Sequence, residues 1–132
     1  MDVVFILDVS GSIDEVQRYG MMVEMARMIV AGLPVASGQA RVGAITFDNV
    51  AKNQFYLTTY DRNLEALLTA FEFNHARAAT NTQAALNLAR TDQVCGSTGV
   101  EVFYLTLRRP LLPCAWYSCE TSYATLPHIL AL

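Results

Sequence analysis

The sequence predicts an α/β fold in which helices cover both faces of a mostly parallel sheet. Residues 3–7, Val-Val-Phe-Ile-Leu, form an unbroken apolar run, which is typical of a strand buried on both faces. Further strand-like segments alternate with segments of helical period along the chain. Polar residues follow the first strand directly, at the end where open α/β sheets bind ligands. These observations predict a three-layer α/β/α arrangement with its site above the first strand.

Composition fits one globular domain and excludes two classes of partner. The chain has 132 residues and is 53% hydrophobic, so it can bury a sizeable core. Its formal net charge of -3 provides no basic field for phosphate backbones, so no nucleic-acid partner is expected. No apolar run is long enough for a membrane span, and the N-terminus has no signal-peptide pattern.

The polar cluster consists of Asp8, Ser10 and Ser12, and Gly11 lets the backbone turn between the two hydroxyls. Oxygen ligands without sulfur or imidazole favour a hard cation such as Mg²⁺, Mn²⁺ or Ca²⁺. The alternative is a simple turn at the strand end, in which Ser12 or Asp14 caps the next helix.

A helix and an edge hairpin follow the polar turn. An apolar stripe of helical spacing predicts a helix to about Ala31, where Gly32 and Pro34 end it. Residues 40–47 predict a second strand and residues 54–59 a third. Because the link between these strands is too short for a crossover helix, we expect an antiparallel pair at the sheet edge.

Two further helices and a fourth strand complete the predicted elements. Asp61 is the predicted N-cap of a helix, whose buried face is formed by Leu64, Leu67, Leu68 and Phe71. Another helical pattern follows Thr80. Residues 92–99 are predicted to form a polar loop, and residues 100–106 the fourth strand.

Two motifs resemble those of von Willebrand factor type A domains. Asp8-Val-Ser-Gly-Ser after an apolar strand is similar to the family's Asp-x-Ser-x-Ser signature, and Ala78-Ala-Thr-Asn-Thr is similar to its Gly-Gly-Thr-Asn-Thr segment. The resemblance implies a Rossmann-like fold with a metal-ion-dependent adhesion site (MIDAS). By position, it implies that Asp8, Ser10, Ser12 and Thr80 hold the metal. The two alanines would strain a loop that needs positive φ, and the alternative role of Thr80 is to cap the helix.

The resemblance ends after the fourth strand. Family members continue Thr-Asp-Gly there, and that aspartate belongs to the metal shell, but Thr106 is followed by Leu107, Arg108 and Arg109. Losses in the outer shell typically lower metal affinity about 10- to 100-fold, so we expect weak binding of Mg²⁺, Mn²⁺ or Ca²⁺, or none. Residues 1–106 are therefore predicted to form a partial domain, and residues 107–132 an off-family tail without strand alternation or helical period.

The remaining cysteines and histidines indicate no second site. Cys95, Cys114 and Cys119 leave at least one cysteine without a partner in the chain, and their spacing fits no zinc site, so the redox compartment stays open. His75 and His128 are isolated in the sequence and are interpreted as surface or loop residues.

Three hypotheses about function follow from these observations. The resemblance implies a protein-binding module of the adhesion or matrix type, which binds an acidic side chain through the metal. This module would be extracellular or secreted as part of a larger parent, or alternatively cytoplasmic. A second hypothesis is a non-functional or regulatory splice or gene-model fragment of a larger protein. A third is an enzyme with Asp8 as nucleophile, but the chain lacks the phosphate-binding, dinucleotide-binding and serine-nucleophile motifs, so no enzyme is predicted.

Overall fold

The computed structural model describes residues 1–11, 16–74, 79–94, 100–105 and 129–131. In chain order, the strands are β1 (Asp2–Asp8), β2 (Arg41–Phe47), β3 (Ala51–Phe55), β4 (Val100–Leu105) and β5 (Ile129–Ala131). They form one sheet in the order β3-β2-β1-β4-β5, in which β2 and β3 are antiparallel and all other pairs are parallel. This topology confirms the predicted mostly parallel sheet with an antiparallel edge strand.

Helices lie on both faces of the sheet. They are α1 (Val16–Ala31), α2 (Leu64–Ala70) and α3 (Thr82–Leu88), and α3 continues as a π-helical segment, Ala89–Val94. Because side chains alternate across a strand, Val3, Phe5 and Leu7 of β1 pack with α1 and α2, whereas Val4 and Ile6 pack on the α3 side. The sheet is therefore the middle of three layers, as predicted. No helix in the described part of the chain combines the length and apolar character needed to cross a membrane.

The antiparallel hairpin begins earlier than predicted. The sequence predicts β3 over residues 54–59, but the strand is Ala51–Phe55. The reason is a tight turn, in which Asp48 Oδ1 accepts a hydrogen bond from Val50 N at 2.8 Å. This turn reverses the chain at once, so pairing with β2 starts between Phe47 and Ala51.

The cap of α2 also differs from the prediction. Asn63, and not Asp61, caps the helix, since its side chain accepts from Ala66 N at 3.1 Å. Arg62 stands between the two candidates with a φ of 58°, which is a left-handed conformation. Because a helix cannot run through that conformation, it begins only after Arg62.

The predicted polar loop after α3 is partly helical. The π-helical segment extends to Val94, where a loop over residues 92–99 was expected; residues 95–99 lie outside the described residues. The cause is the buried side chain of Gln93, whose amide donates to Asn53 Oδ1 and to the Phe55 carbonyl, both at 3.0 Å. These long-range hydrogen bonds hold the segment against β3 and are invisible to local sequence patterns.

The tail contributes one strand that the sequence did not predict. Ile129–Ala131 pairs in parallel with β4, and Ile129 lies opposite Val102. Three residues are too few to show a strand period, although an isoleucine in an apolar triplet suits a sheet. Thr106 lies outside the described residues, as do residues 107–128 and 132 of the tail. The three cysteines and two histidines discussed above lie outside them too.

Candidate functional site

The first half of the candidate site lies at the carboxyl end of β1. Val9 N still donates to the Phe47 carbonyl at 2.9 Å, so the chain keeps its contact with β2 one residue beyond the strand. It then turns, and Ser10 N donates to Asp8 Oδ1 at 2.9 Å. Asp8 and Ser10 are both 0% exposed. The turn therefore buries one carboxylate and one hydroxyl at the edge of the central strand.

The second half comes from the segment before α3. The Thr80 hydroxyl donates to the Ser10 hydroxyl, with 2.7 Å between the two oxygens, although the residues are 70 positions apart in the sequence. Next to it, Asn81 N donates to the Asp48 carbonyl at 2.6 Å. The segment is thus attached to the ends of both β1 and β2. The structure brings Asp8, Ser10 and Thr80 into one hydrogen-bonded group.

Thr80 does not cap α3. The N-cap is Asn81, whose side chain accepts from Ala84 N at 3.1 Å. The alternative interpretation of Thr80 as a helix cap is therefore wrong, because the neighbouring asparagine performs that role and the threonine hydroxyl bonds to Ser10 instead. Ala79 causes no strain of the kind considered above, since Arg62 is the one non-glycine residue with positive φ in the described part of the chain.

The donors that meet here suit a hard cation. They are oxygens of carboxylate and hydroxyl groups, and Mg²⁺, Mn²⁺ and Ca²⁺ prefer oxygen ligands. Within the described residues, no three His, Cys, Asp or Glu side chains are grouped so that they could hold a metal. A metal held here would therefore depend on the hydroxyls as well as on Asp8. Ser12 and Leu107, which bear on the predicted metal shell, and Ala78 lie outside the described residues.

Asp48 also supports the site, although the sequence motifs above do not include it. It is only 9% exposed, its carboxylate accepts from Val50 N, and its carbonyl accepts from Asn81 N. It therefore attaches the Thr80 segment to the end of β2. A signal was present, because Asp48 directly follows a strand parallel to β1, and the carboxyl ends of parallel strands meet at one edge of the sheet.

The structure resembles solved structures of a byssus matrix protein and a pilus tip protein. Proximal thread matrix protein 1 from the mussel byssus superposes with a TM-score of 0.73 at 18% identity, covering 86% of this chain and 32% of that one. The same protein with a zinc-occupied MIDAS motif gives 0.69 at 22% identity, covering 79% and 28%. The vWF domain of the type V pili tip protein Mfa5 from Porphyromonas gingivalis gives 0.67 at 18% identity, covering 80% and 36%.

These likenesses establish the fold, and the chain spans about a third of the length of the chains just compared. A comparison with curated protein sequences found no match. The sequence profile of one family, described as von Willebrand factor type A domain, matches residues 2–102, which is most of the chain. Together with the sheet order and the loops at the end of β1, this match shows that the chain belongs to the von Willebrand factor type A domain family.

Proposed function

We propose that this chain is a protein-binding module that holds a divalent cation with Asp8, Ser10, Ser12 and Thr80. The observation that carries the proposal is the hydrogen bond between the Thr80 and Ser10 hydroxyls, because it joins the two separate segments that the family's metal site requires. Asp8, buried next to Ser10, supplies the negative charge that a cation needs. When bound, the cation supplies a positive charge to which a carboxylate of a partner protein can bind.

The module acts by recognition and not by catalysis. The three described site residues offer hydroxyl and carboxylate oxygens, the donor types that can hold a cation to which a partner's carboxylate binds. Mg²⁺ or Mn²⁺ suits this donor set, and Ca²⁺ is the next candidate. Because Leu107 replaces the usual aspartate, the proposed affinity is low.

A location outside the cell, as part of a longer protein, completes the proposal. Its support comes from the relatives, whose names place them in the byssus thread matrix and at the pilus tip. In this proposal residues 1–106 are the part that resembles the family, and residues 107–132 form a tail of separate origin that adds β5 to the sheet.

Calorimetric titration with Mn²⁺ and Mg²⁺ tests the metal site. We expect Ser10→Ala and Thr80→Val to weaken binding at least about 10-fold, because each removes a hydroxyl ligand. Thr69→Val is the matched control, since Thr69 is exposed on α2 and its hydroxyl only donates to the Glu65 carbonyl. Absence of binding in the unaltered chain, or equal binding by all four proteins, would contradict the metal site.

A second measurement tests acidic recognition. Immobilised polyglutamate serves as the probe, and polylysine as its control. We expect Mn²⁺-dependent capture by polyglutamate that EDTA reverses and that Thr80→Val abolishes. Capture that persists in EDTA would show that polyglutamate binds the chain at a place other than the metal site.

A further inference from the structure

Tyr19 links α1 to the segment that leads from α2 to Thr80. Its hydroxyl donates to the Phe73 carbonyl, 54 positions away in the sequence. Burial raises the pKa of Tyr19 from 10.0 to about 12, so the hydroxyl stays protonated and able to donate at neutral pH. Phe73 lies in residues 71–74, which form neither helix nor strand. The hydrogen bond therefore fixes a stretch of backbone that has no ladder of its own.

The Phe73 side chain is fixed as well. Its ring stacks on Phe55 with 6.3 Å between centroids and meets Phe71 edge-on at 5.7 Å. Tyr19 packs against the same core cluster. Aromatic contacts thus hold the ring, whereas the Tyr19 hydroxyl holds the main chain.

We propose that Tyr19 is a positioning residue of the candidate site, which anchors the Thr80 segment so that the Thr80 hydroxyl stays beside Ser10. Contacts at both ends hold this segment. Tyr19 bonds to Phe73 near its start, while at its end Thr80 bonds to Ser10 and Asn81 N to the Asp48 carbonyl. Phe73 precedes Thr80 by seven positions in the sequence. Loss of the Tyr19 bond removes the main-chain attachment of Phe73 and leaves its ring contacts, so the start of the segment is held less firmly and closing it against Ser10 costs more entropy.

The position of Tyr19 in the chain explains why it suits this role. The polar turn at Ser10 leads within a few residues into α1, the helix that carries Tyr19. One helix therefore connects both halves of the site, since its start follows the Ser10 turn and its tyrosine holds the segment of Thr80. The effect on metal affinity rests on the proposed function, whereas the anchoring of Thr80 rests on the hydrogen bonds alone.

Hydrogen exchange of the Asn81 amide tests the anchoring directly. In Tyr19→Phe the ring remains and only the hydroxyl is lost, so we expect this amide to exchange about 3- to 10-fold faster, while amides of Ile6 and Ile45 in the central strands are unchanged. Tyr60→Phe is the matched control, because the Tyr60 ring packs on Phe55 at 5.2 Å in the same cluster. Unchanged exchange in Tyr19→Phe, or an equal increase in Tyr60→Phe, would overturn the inference.

The Mn²⁺ affinity of the same variants tests the consequence for the site. We expect about 3- to 10-fold weaker binding in Tyr19→Phe and unaltered binding in Tyr60→Phe. Equal affinity of Tyr19→Phe and the unaltered chain would overturn the positioning role. If the unaltered chain binds no Mn²⁺, the proposed function fails, and the exchange of the Asn81 amide alone then decides whether Tyr19 anchors the segment.

Discussion

Helices α2 and α3 are alike in length and capping but differ in what they bury. Each has seven residues and follows an asparagine whose side chain accepts from a backbone N–H in the first turn. The buried residue of α2 is Leu67, which packs into the aromatic side of the core, whereas that of α3 is Ala85 on the opposite face. A buried leucine stabilises the packing of a helix through its large apolar area. A buried alanine contributes little apolar area but allows the helix backbone to approach the sheet closely.

This difference gives the two helix N-termini different roles. The N-terminus of α2 is attached locally, since Asn63 N donates to the Tyr60 carbonyl. The Cα atoms of α3 approach those of β2 and β3 within 8 Å, and Asn81 reaches the Asp48 carbonyl at the sheet edge. The helix that buries less therefore follows the segment of the candidate site, and polar contacts position much of that segment.

The largest expected effect comes from the same truncation made in both helices. Leu67 is 1% exposed, so Leu67→Ala should lower the free energy of unfolding by about 3 to 5 kcal/mol. Leu86 in α3 is only partly buried, and Leu86→Ala should lower it by about 1 kcal/mol, because less apolar area is lost. Urea denaturation measures the free energy of unfolding of both variants and of the unaltered chain. Equal losses would show that α3 is held by apolar burial as firmly as α2.

Gly43 tests how the far end of α3 is held. A Cβ added at this buried position of β2 would lie 2.5 Å from Gln93 Oε1, and the Gln93 amide cannot move without losing its bonds to Asn53 and Phe55. We expect Gly43→Ala to destabilise the fold by about 1 to 3 kcal/mol in thermal or urea unfolding. Gly20→Ala is the control: nothing surrounds that helical position, so it should stabilise by about 0.5 to 1 kcal/mol. A neutral Gly43→Ala would mean that Gln93 does not fix the π-helical segment.

Much of the fold could be predicted because it depends on local patterns. The apolar run of β1 and the short link after β2 were sufficient for the buried parallel strand and the antiparallel edge, which the structure confirms. The boundaries depend on single backbone conformations, and these could not be predicted. Arg62, with its positive φ, shifts the start of α2, and the turn at Asp48 shifts β3.

The candidate site, like the fold, could be predicted only in part. Side-chain type and family resemblance were sufficient to select Ser10 and Thr80, which the structure joins, although their role toward a metal stays a prediction. The contacts that position them could not be predicted. The place of Asp48 after a strand parallel to β1 was a signal for that residue, but Asp48 acts through its carbonyl and Tyr19 through a bond to the Phe73 carbonyl. Backbone acceptors are common to all residues, so no sequence pattern marks them.

The smallest expected effect separates the two caps. Asn63→Ala and Asn81→Ala each remove a side-chain acceptor from a helix N-terminus, and each should destabilise the fold by about 1 kcal/mol. Only Asn81→Ala should also weaken Mn²⁺ binding, by roughly 2- to 5-fold, because fraying of the first turn of α3 loosens the adjacent Thr80. Unfolding in urea and titration with Mn²⁺ on the same samples distinguish the two effects. If both variants bind Mn²⁺ like the unaltered chain, the bonds from Asn81 N to Asp48 and from Thr80 to Ser10 hold the segment without help from the helix, and the two N-termini differ less in function than their surroundings indicate.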